Sequence, residues 1–203
     1  MDSKAYAHAY EKFEDILAHL DTHIKAGRIR HLGLSNETPF GVMRFIAESE
    51  AKGLPRMATI QNAYNLVNRQ FEDGGLEECC VREDVSLLAY SPLGQGYLTG
   101  KYRNGAVPKG SRKELFDRLQ RYENGPGPRA IESYLVLAEK LGVDPSKLAI
   151  KFCDTRHFMG STIIGATSME QLKICIDAFD LEWTDEMETE VNRLHLEQPS
   201  PCP

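Results

Sequence analysis

No stretch of this sequence holds the roughly 20 consecutive apolar residues that cross a bilayer, so a membrane-spanning protein is not expected. Residues Met1 to Tyr10 are mixed polar and lack the apolar core of a secretion signal. The five cysteines (Cys79, Cys80, Cys153, Cys175, Cys202) are odd in number and fall in no metal-like spacing. That usage suits a reducing compartment, where cysteine serves as a small buried hydrophobe. There is no nucleophile elbow, Walker loop, HExxH pair or Rossmann glycine fingerprint. Nor is there an excess of basic charge: 24 Lys+Arg face 30 Asp+Glu, a net charge of −6, which argues against a general nucleic-acid binder. At 203 residues and 41% hydrophobic the chain has the length and apolar content to build one real core. A single cytoplasmic domain spanning 1–203 is the expected class.

What the sequence does hold is an alternation of short apolar runs with amphipathic stripes. Tyr6, Tyr10, Phe13, Leu17, Leu20 and Ile24 recur at spacings of three and four, which predicts a helix over 3–26 stopped by Gly27. A strand follows at 31–35, then Thr38 as N-cap and Pro39 as first helical residue of a helix reaching Gly53. Further strands are expected at 57–61, 85–90 and 161–165, and further helices at 75–82, 130–141, 145–157, 169–179 and 185–195, before the Pro-rich tail 198–203. The first three strand centres, Leu32, Ile60 and Leu88, lie 28 residues apart, close to one βα unit. Alternation of this kind implies a parallel sheet covered by helices. Four strands are too few for a closed (β/α)8 barrel of about 250 residues. The expected fold is therefore half of a TIM-type barrel, with a small open four-stranded sheet as the alternative.

The chemistry signals gather at the predicted C-terminal ends of the strands. Ser35-Asn36 closes the first, Gln61-Asn62 the second and Tyr90-Ser91 the third. Amides there would grip a carboxamide, and Tyr90 offers a flat face to an aromatic ring. Each residue taken singly is equally a turn cap or a core filler. After the third strand, residues 94–129 carry seven glycines and eight basic residues against three acidic ones, a +5 segment in a protein of net −6. A glycine-rich cationic loop in that place suits a polyphosphate ligand, or else is simply solvated. After the fourth strand, Ser168 with Gln171 has the spacing of a capping box, which would turn a helix N-terminus toward the same mouth. His19 and His23 stand at i,i+4 without an evident third ligand, so no metal site is expected.

Several strings then resemble the aldo-keto reductases: Gly27-Arg-Ile-Arg-His-Leu-Gly-Leu-Ser-Asn36, Thr59-Ile-Gln-Asn62, Ala89-Tyr-Ser-Pro-Leu-Gly94, Leu98-Thr-Gly-Lys-Tyr102 and Ser161-Thr-Ile-Ile-Gly-Ala-Thr167. The ending Leu194-His…Pro201-Cys-Pro203 looks most like the Tas-like branch, related to potassium-channel β subunits. The resemblance runs from about residue 12 to the end and covers the second half of that family's barrel, strands five to eight. It implies NADP(H) as cofactor and hydride transfer to a carbonyl substrate. Ser35, Asn36 and Gln61 match positions that hold the nicotinamide carboxamide, and Tyr90 the aromatic that stacks on its ring. Ser91, Pro92, Leu93, Gly94 and Gln95 match the loop along the pyrophosphate, and Lys101 and Arg112 match basic residues near the phosphates. Gly165, Thr167 and Gln171 match the 2′-phosphate and ribose contacts.

There are departures from the pattern. The family's catalytic Asp, Tyr, Lys and His come from the first half of the barrel and have no counterpart here; Asp2…Tyr6 has the wrong spacing and lies on a predicted helix. Ile174 and Cys175 replace a Glu-Asn pair that usually contacts adenine, and with Leu172, Ile176 and Phe179 they read as core-facing. Lys151 and Asp154 fall in a helix that is typically more apolar. Three expectations follow: a reductase represented by its cofactor-binding half, inactive alone; a non-catalytic half barrel that binds nucleotide, a second copy or a complementing half; and a truncation as the reason for the missing half.

Overall fold

The computed structural model describes residues 12–116 and 120–203. Its elements in chain order are α1 (Phe13–Lys25), β1 (Leu32–Ser35), α2 (Pro39–Lys52), β2 (Met57–Ala63), α3 (Gln70–Asp73), α4 (Leu76–Arg82) and β3 (Ser86–Tyr90). The long connection after β3 holds two 3-10 turns (Gly94–Thr99 and Arg103–Gly105) and the short helices α5 (Arg112–Leu115) and α6 (Gln120–Glu123). Then come α7 (Gly127–Leu141), α8 (Pro145–Asp154), β4 (Met159–Thr162), α9 (Met169–Asp177) and α10 (Asp185–Glu197). The predicted helix segment 3–11 and the Asp2…Tyr6 pair lie outside the described residues.

Helix starts follow local chemistry. Thr38 caps α2 through Gly41 N at 3.2 Å, with Pro39 as its first residue. Asp144 caps α8 by accepting from Ser146 N (2.7 Å) and Lys147 N (3.2 Å), satisfying donors that a helix start leaves orphaned. That helix ends at Asp154 rather than His157, because Thr155 Oγ1 and Arg156 Nε both donate to Phe152 O and close its last turn.

The sheet is four-stranded and wholly parallel, in the order β1-β2-β3-β4. Register brings Ser35 opposite Gln61, Ala63 opposite Tyr90 and Ala89 opposite Thr162, so the strands finish together at one rim. The fourth strand sits earlier than the sequence pattern suggested, at 159–162 rather than 161–165, with one further bond from Ile163 N to Ala89 O (2.8 Å). Its polar start concealed it. Gly160, the second residue of the strand, lies so close to β3 that a Cβ there would meet Ser86 Cβ at 2.7 Å, which favours glycine at this position.

Alternation sorts the strand residues into two faces. Ile60, Leu87 and Ala89 are fully buried and join Val42, Ile46, Leu148 and Phe152 in one continuous core under the helices. Ser86, Leu88 and Tyr90 on the opposite face are half-buried, and Gly33, Ser35, Gln61 and Ser161 are exposed. Parallel sheets are normally covered on both sides; among the described residues this one is covered on one. An α/β fold with a one-sided parallel sheet is the half-barrel architecture expected from the sequence.

Two expectations about packing change. Of the α9 positions read as core-facing, Cys175 is buried, but Ile176 (56% exposed) and Phe179 (43%) stand on the surface with Met169 (78%). Met169 and Ile176, seven residues apart, share one stripe of the helix, and Phe179 just past its end flanks the face that Cys175 and Ala178 bury. The Pro-rich tail is docked: Cys202 is fully buried, its N–H donates to Val67 O (3.0 Å), and Ser200 Oγ donates to Asp73 Oδ2 (2.7 Å).

Candidate active site at the strand ends

The rim where the strands finish gathers four of the predicted residues. Asn36 leaves β1 in the left-handed region (φ 53°), its N–H held by Gln61 O at 3.0 Å. That turn aims its carboxamide along the rim, where Oδ1 accepts from Tyr90 Oη (2.8 Å) and Nδ2 reaches Ser35 Oγ (3.2 Å). The contact joins residues 54 apart in sequence across the intervening β2. Ser35, Asn36, Gln61 and Tyr90 thus form one small polar cluster with donors and acceptors open to solvent.

The chain continues from Tyr90 into Ser91–Gln95, where non-glycine residues again hold positive φ: Ser91 at 56° and Gln95 at 56°. Left-handed geometry costs an L-residue roughly 1–2 kcal/mol, so three such residues in one site mark backbone held in place by its surroundings. Ser91 O accepts from Gly94 N (2.9 Å) and Leu93 O from Gly96 N (2.9 Å). Gly96 needs glycine for its φ of 100°, and the missing side chain leaves space into which Lys101 folds back across the turn, with its ammonium 5.1 Å from the Tyr102 ring centre.

The cations of the long connection divide into two sets. Arg103 is held by both oxygens of Glu132 and by Glu139, and Lys113 pairs with Glu123 at 2.9 Å. The Tyr97 hydroxyl and Lys113 together hold the Glu123 carboxyl below the usual range. Lys101 and Arg112 have no carboxylate partner among the described residues, and both are exposed. A pocket of about 570 Å³ lies beside this segment, lined by Tyr97, Tyr102, Arg103, Lys113 and Glu132, but its charges already satisfy one another.

After β4, Gln171 Oε1 accepts from Thr167 N (2.9 Å) and Thr167 Oγ1 (3.1 Å), while Ser168 Oγ takes Gln171 N (3.2 Å). The capping box forms, with its return bond moved one residue upstream to Thr167. Gly165, Thr167 and Gln171 are exposed, and the bond from Ile163 to Ala89 leads them out beside the end of β3. Arg112 stands on α5, whose next backbone N–H, that of Lys113, donates to Tyr102 Oη at 3.3 Å. His19 and His23 meet edge to face at 5.1 Å, and Arg28 Nε donates to His23 Nδ1 (3.0 Å).

Buried acceptors without a partner, Gln95 Oε1, Asn62 Oδ1 and Thr162 Oγ1, sit in the turn and on two of the strands; Gln95 and Asn62 were named from the sequence, while Thr162 and Asn65 were missed as site residues. Asn65, fully buried, donates to Ser91 O at 3.0 Å. A signal was present in the polar run Asn65…Asn68-Arg69, which has no reason to be buried unless each group is paired.

Comparison with known proteins places this geometry. Residues 3–195 match the aldo/keto reductase family. The chain is 44% identical over 189 residues to Protein tas of Escherichia coli, covering 93% of this chain and 54% of that protein. It is 36% identical to an aldo-keto reductase of Babesia bovis, covering 93% and 68% respectively. A probable voltage-gated potassium channel subunit beta of Arabidopsis thaliana is 30% identical over 128 residues, 60% of this chain and 38% of that one. The chain thus spans about half the length of its Tas relative. A parallel, one-sided sheet, strand ends converging on one rim and these matches together make the chain a member of the aldo/keto reductase family, in its Tas-like branch.

Proposed function

We propose that this chain is the dinucleotide-gripping part of an NADP(H)-dependent oxidoreductase acting on a carbonyl or the corresponding alcohol. The observation that carries the reading is the Ser35–Asn36–Gln61–Tyr90 cluster at the strand ends, continuous with a cationic turn. Ser35, Asn36 and Gln61 offer the paired donors and acceptors that a nicotinamide carboxamide requires, and Tyr90 a ring to stack on. Ser91, Pro92, Leu93, Gly94 and Gln95 run along the pyrophosphate, with Lys101 and Arg112 neutralising phosphate charge. Gly165, Thr167 and Gln171 receive the ribose and 2′-phosphate. The unpartnered buried oxygen of Gln95 and the exposed Lys101 and Arg112, which like Lys109, Arg121 and Arg129 have no carboxylate partner among the described residues, fit such a ligand.

The bound nucleotide supplies a hydride to the carbonyl carbon. This chain's residues fix the ring, hold the phosphates and exclude water from the nicotinamide face. Proton donation belongs to an Asp, Tyr, Lys and His set that the 203 residues do not carry, so the chain alone binds without turning over. Its substrate is a small carbonyl compound once the other half barrel is in place. No nucleic acid or membrane is a partner in this reading, and the five free cysteines suit the cytoplasm. No helix among the described residues is long and apolar enough to cross a membrane.

A second reading is a non-catalytic half barrel that binds a partner, either a second copy or a complementing half. Exposed Met169, Ile176 and Phe179, with exposed Ile163 at the β4 edge, favour it. Light scattering on the purified chain tests it: a dimer supports self-association, and a monomer with cooperative unfolding contradicts it. Charge reversal at Lys101 and Arg112 tests the first reading by NADPH fluorescence titration; unchanged affinity would count against the phosphate assignment.

A further inference from the structure

The turn that the cofactor reading relies on is held by a residue outside it. We propose that Asn65 is the positioning residue of the Ser91–Gln95 turn. The inference rests on the reading above only where it concerns nucleotide affinity.

Asn65 follows β2 and is fully buried, a costly place for a carboxamide unless every polar atom is paired. Nδ2 donates to Ser91 O at 3.0 Å and Oδ1 accepts from Val67 N at 3.0 Å. The backbone is fixed as well, because Asn65 and Asn68 exchange N–H···O bonds of 3.0 Å in both directions. The amide is therefore a rigid bracket rather than a mobile contact.

Ser91 needs that bracket. It holds a left-handed φ of 56° without being glycine, and its carbonyl also receives Gly94 N, so its orientation sets where the turn begins. Gly94, Gln95 and Gly96 continue at φ 54°, 56° and 100°, a sequence of conformations that would relax if the first were released. Tyr122, only 1% exposed, presses on the same turn from the other side: its ring stacks on Tyr97 at 5.7 Å between centres, and a Cβ at Gly94 would lie 3.3 Å from it. Next to it, Glu123 receives the Tyr97 hydroxyl and the Lys113 ammonium. One buried carboxamide thus ties the end of β2 to the turn after β3, and the Tyr122 ring packs on that turn from the returning end of the connection. Arg112 and Lys101 are carried on the segment between those ties.

The test uses the full 203-residue chain and the variants Asn65→Asp, Asn65→Ser and Tyr122→Phe. Both Asn65 variants lose the hydrogens donated to Ser91; Tyr122→Phe keeps the ring that packs on the turn and is the folded comparison. Amide hydrogen exchange without nucleotide should quicken at Gly94 and Gly96 in both Asn65 variants, and not in Tyr122→Phe, while the β2 and β3 amides keep their rates. NADPH affinity should fall about three- to tenfold in the Asn65 variants, the worth of one buried hydrogen bond. Unchanged exchange at Gly94 and Gly96 would overturn the proposal, as would acceleration spread equally through the sheet. Were wild type to bind no NADPH, the reading of the site would fall, and the exchange rates would still decide the role of Asn65.

Discussion

Two polar regions of this molecule are wired differently. Around Arg69 and Arg156 the charged groups answer one another, and His195 Nδ1 is the one buried side-chain atom beside that network left without a partner among the described residues. Arg69, almost buried, donates to Glu72 (2.9 Å) and Asn192 (2.8 Å), and Glu72 also receives the Tyr64 hydroxyl. Arg156 meets Glu188 through both nitrogens, and Trp183 and Asn192 add further donors at 2.8 Å. Phe152 receives Arg69 and Arg156 against its ring at 5.2 and 4.7 Å. At the rim, by contrast, buried oxygens go unpartnered, non-glycine residues hold left-handed φ, and Lys101 and Arg112 have no carboxylate partner among the described residues. A region whose charges answer one another is built for stability. One whose polar groups are spare and whose backbone is strained is built to meet something else.

The comparison breaks most severely at Arg69. Arg69→Met leaves Glu72 and the Tyr64 hydroxyl buried without their cation, a change that typically costs about 3–5 kcal/mol. Urea denaturation should show that loss, while NADPH affinity of the folded fraction stays near wild type. A large affinity loss at constant stability would mean the two regions are not separate. The reverse pattern is expected at the rim. Lys101→Glu with Arg112→Glu should weaken NADPH about 10- to 100-fold, the worth of one or two charge-assisted contacts. Stability should move by about 0.5 kcal/mol or less, as for exposed positions.

The sequence made the rim easier to see than the network around Arg69 and Arg156. Strand ends, the cationic segment 94–129 and the Thr38 and Ser168 caps are local patterns, and local patterns survive in one dimension. Asn65 carried a faint signal in a polar run but no role, because its partner Ser91 lies 26 residues downstream. The fourth strand was misplaced by two to three residues because Gly160-Ser161-Thr162 carries no apolar alternation; its register comes from β3. Phe179 and Ile176 looked like core because apolar helical spacing says which residues share a face, not whether anything covers that face.

A smaller effect should appear with pH. Arg156, hydrogen bonded to Glu188, holds that carboxyl well below its ordinary range, at about 2, with Trp183 and Asn192 adding to the shift. A depressed folded pKa stabilises above the unfolded value near 4.5 and is lost as pH falls toward 2. The melting temperature should therefore drop across that window, and less steeply in Glu188→Gln. Equal slopes would show that the network does not govern acid stability. Smallest of all, Tyr90→Phe removes the hydroxyl bond to Asn36 but keeps the ring. NADPH affinity should fall only about three- to fivefold, and a loss as large as that of the double charge reversal would shift the weight of binding from the phosphates to the rim cluster.

The central claim is that the 203-residue chain grips the nucleotide without performing the reaction. Purified chain titrated with NADPH, followed by addition of a panel of small aldehydes and ketones, tests it in one cuvette. Saturable enhancement and blue shift of nicotinamide fluorescence, with no carbonyl-dependent loss of absorbance at 340 nm, is the predicted result. Absence of saturable binding, or steady oxidation of NADPH by the pure chain, would contradict it.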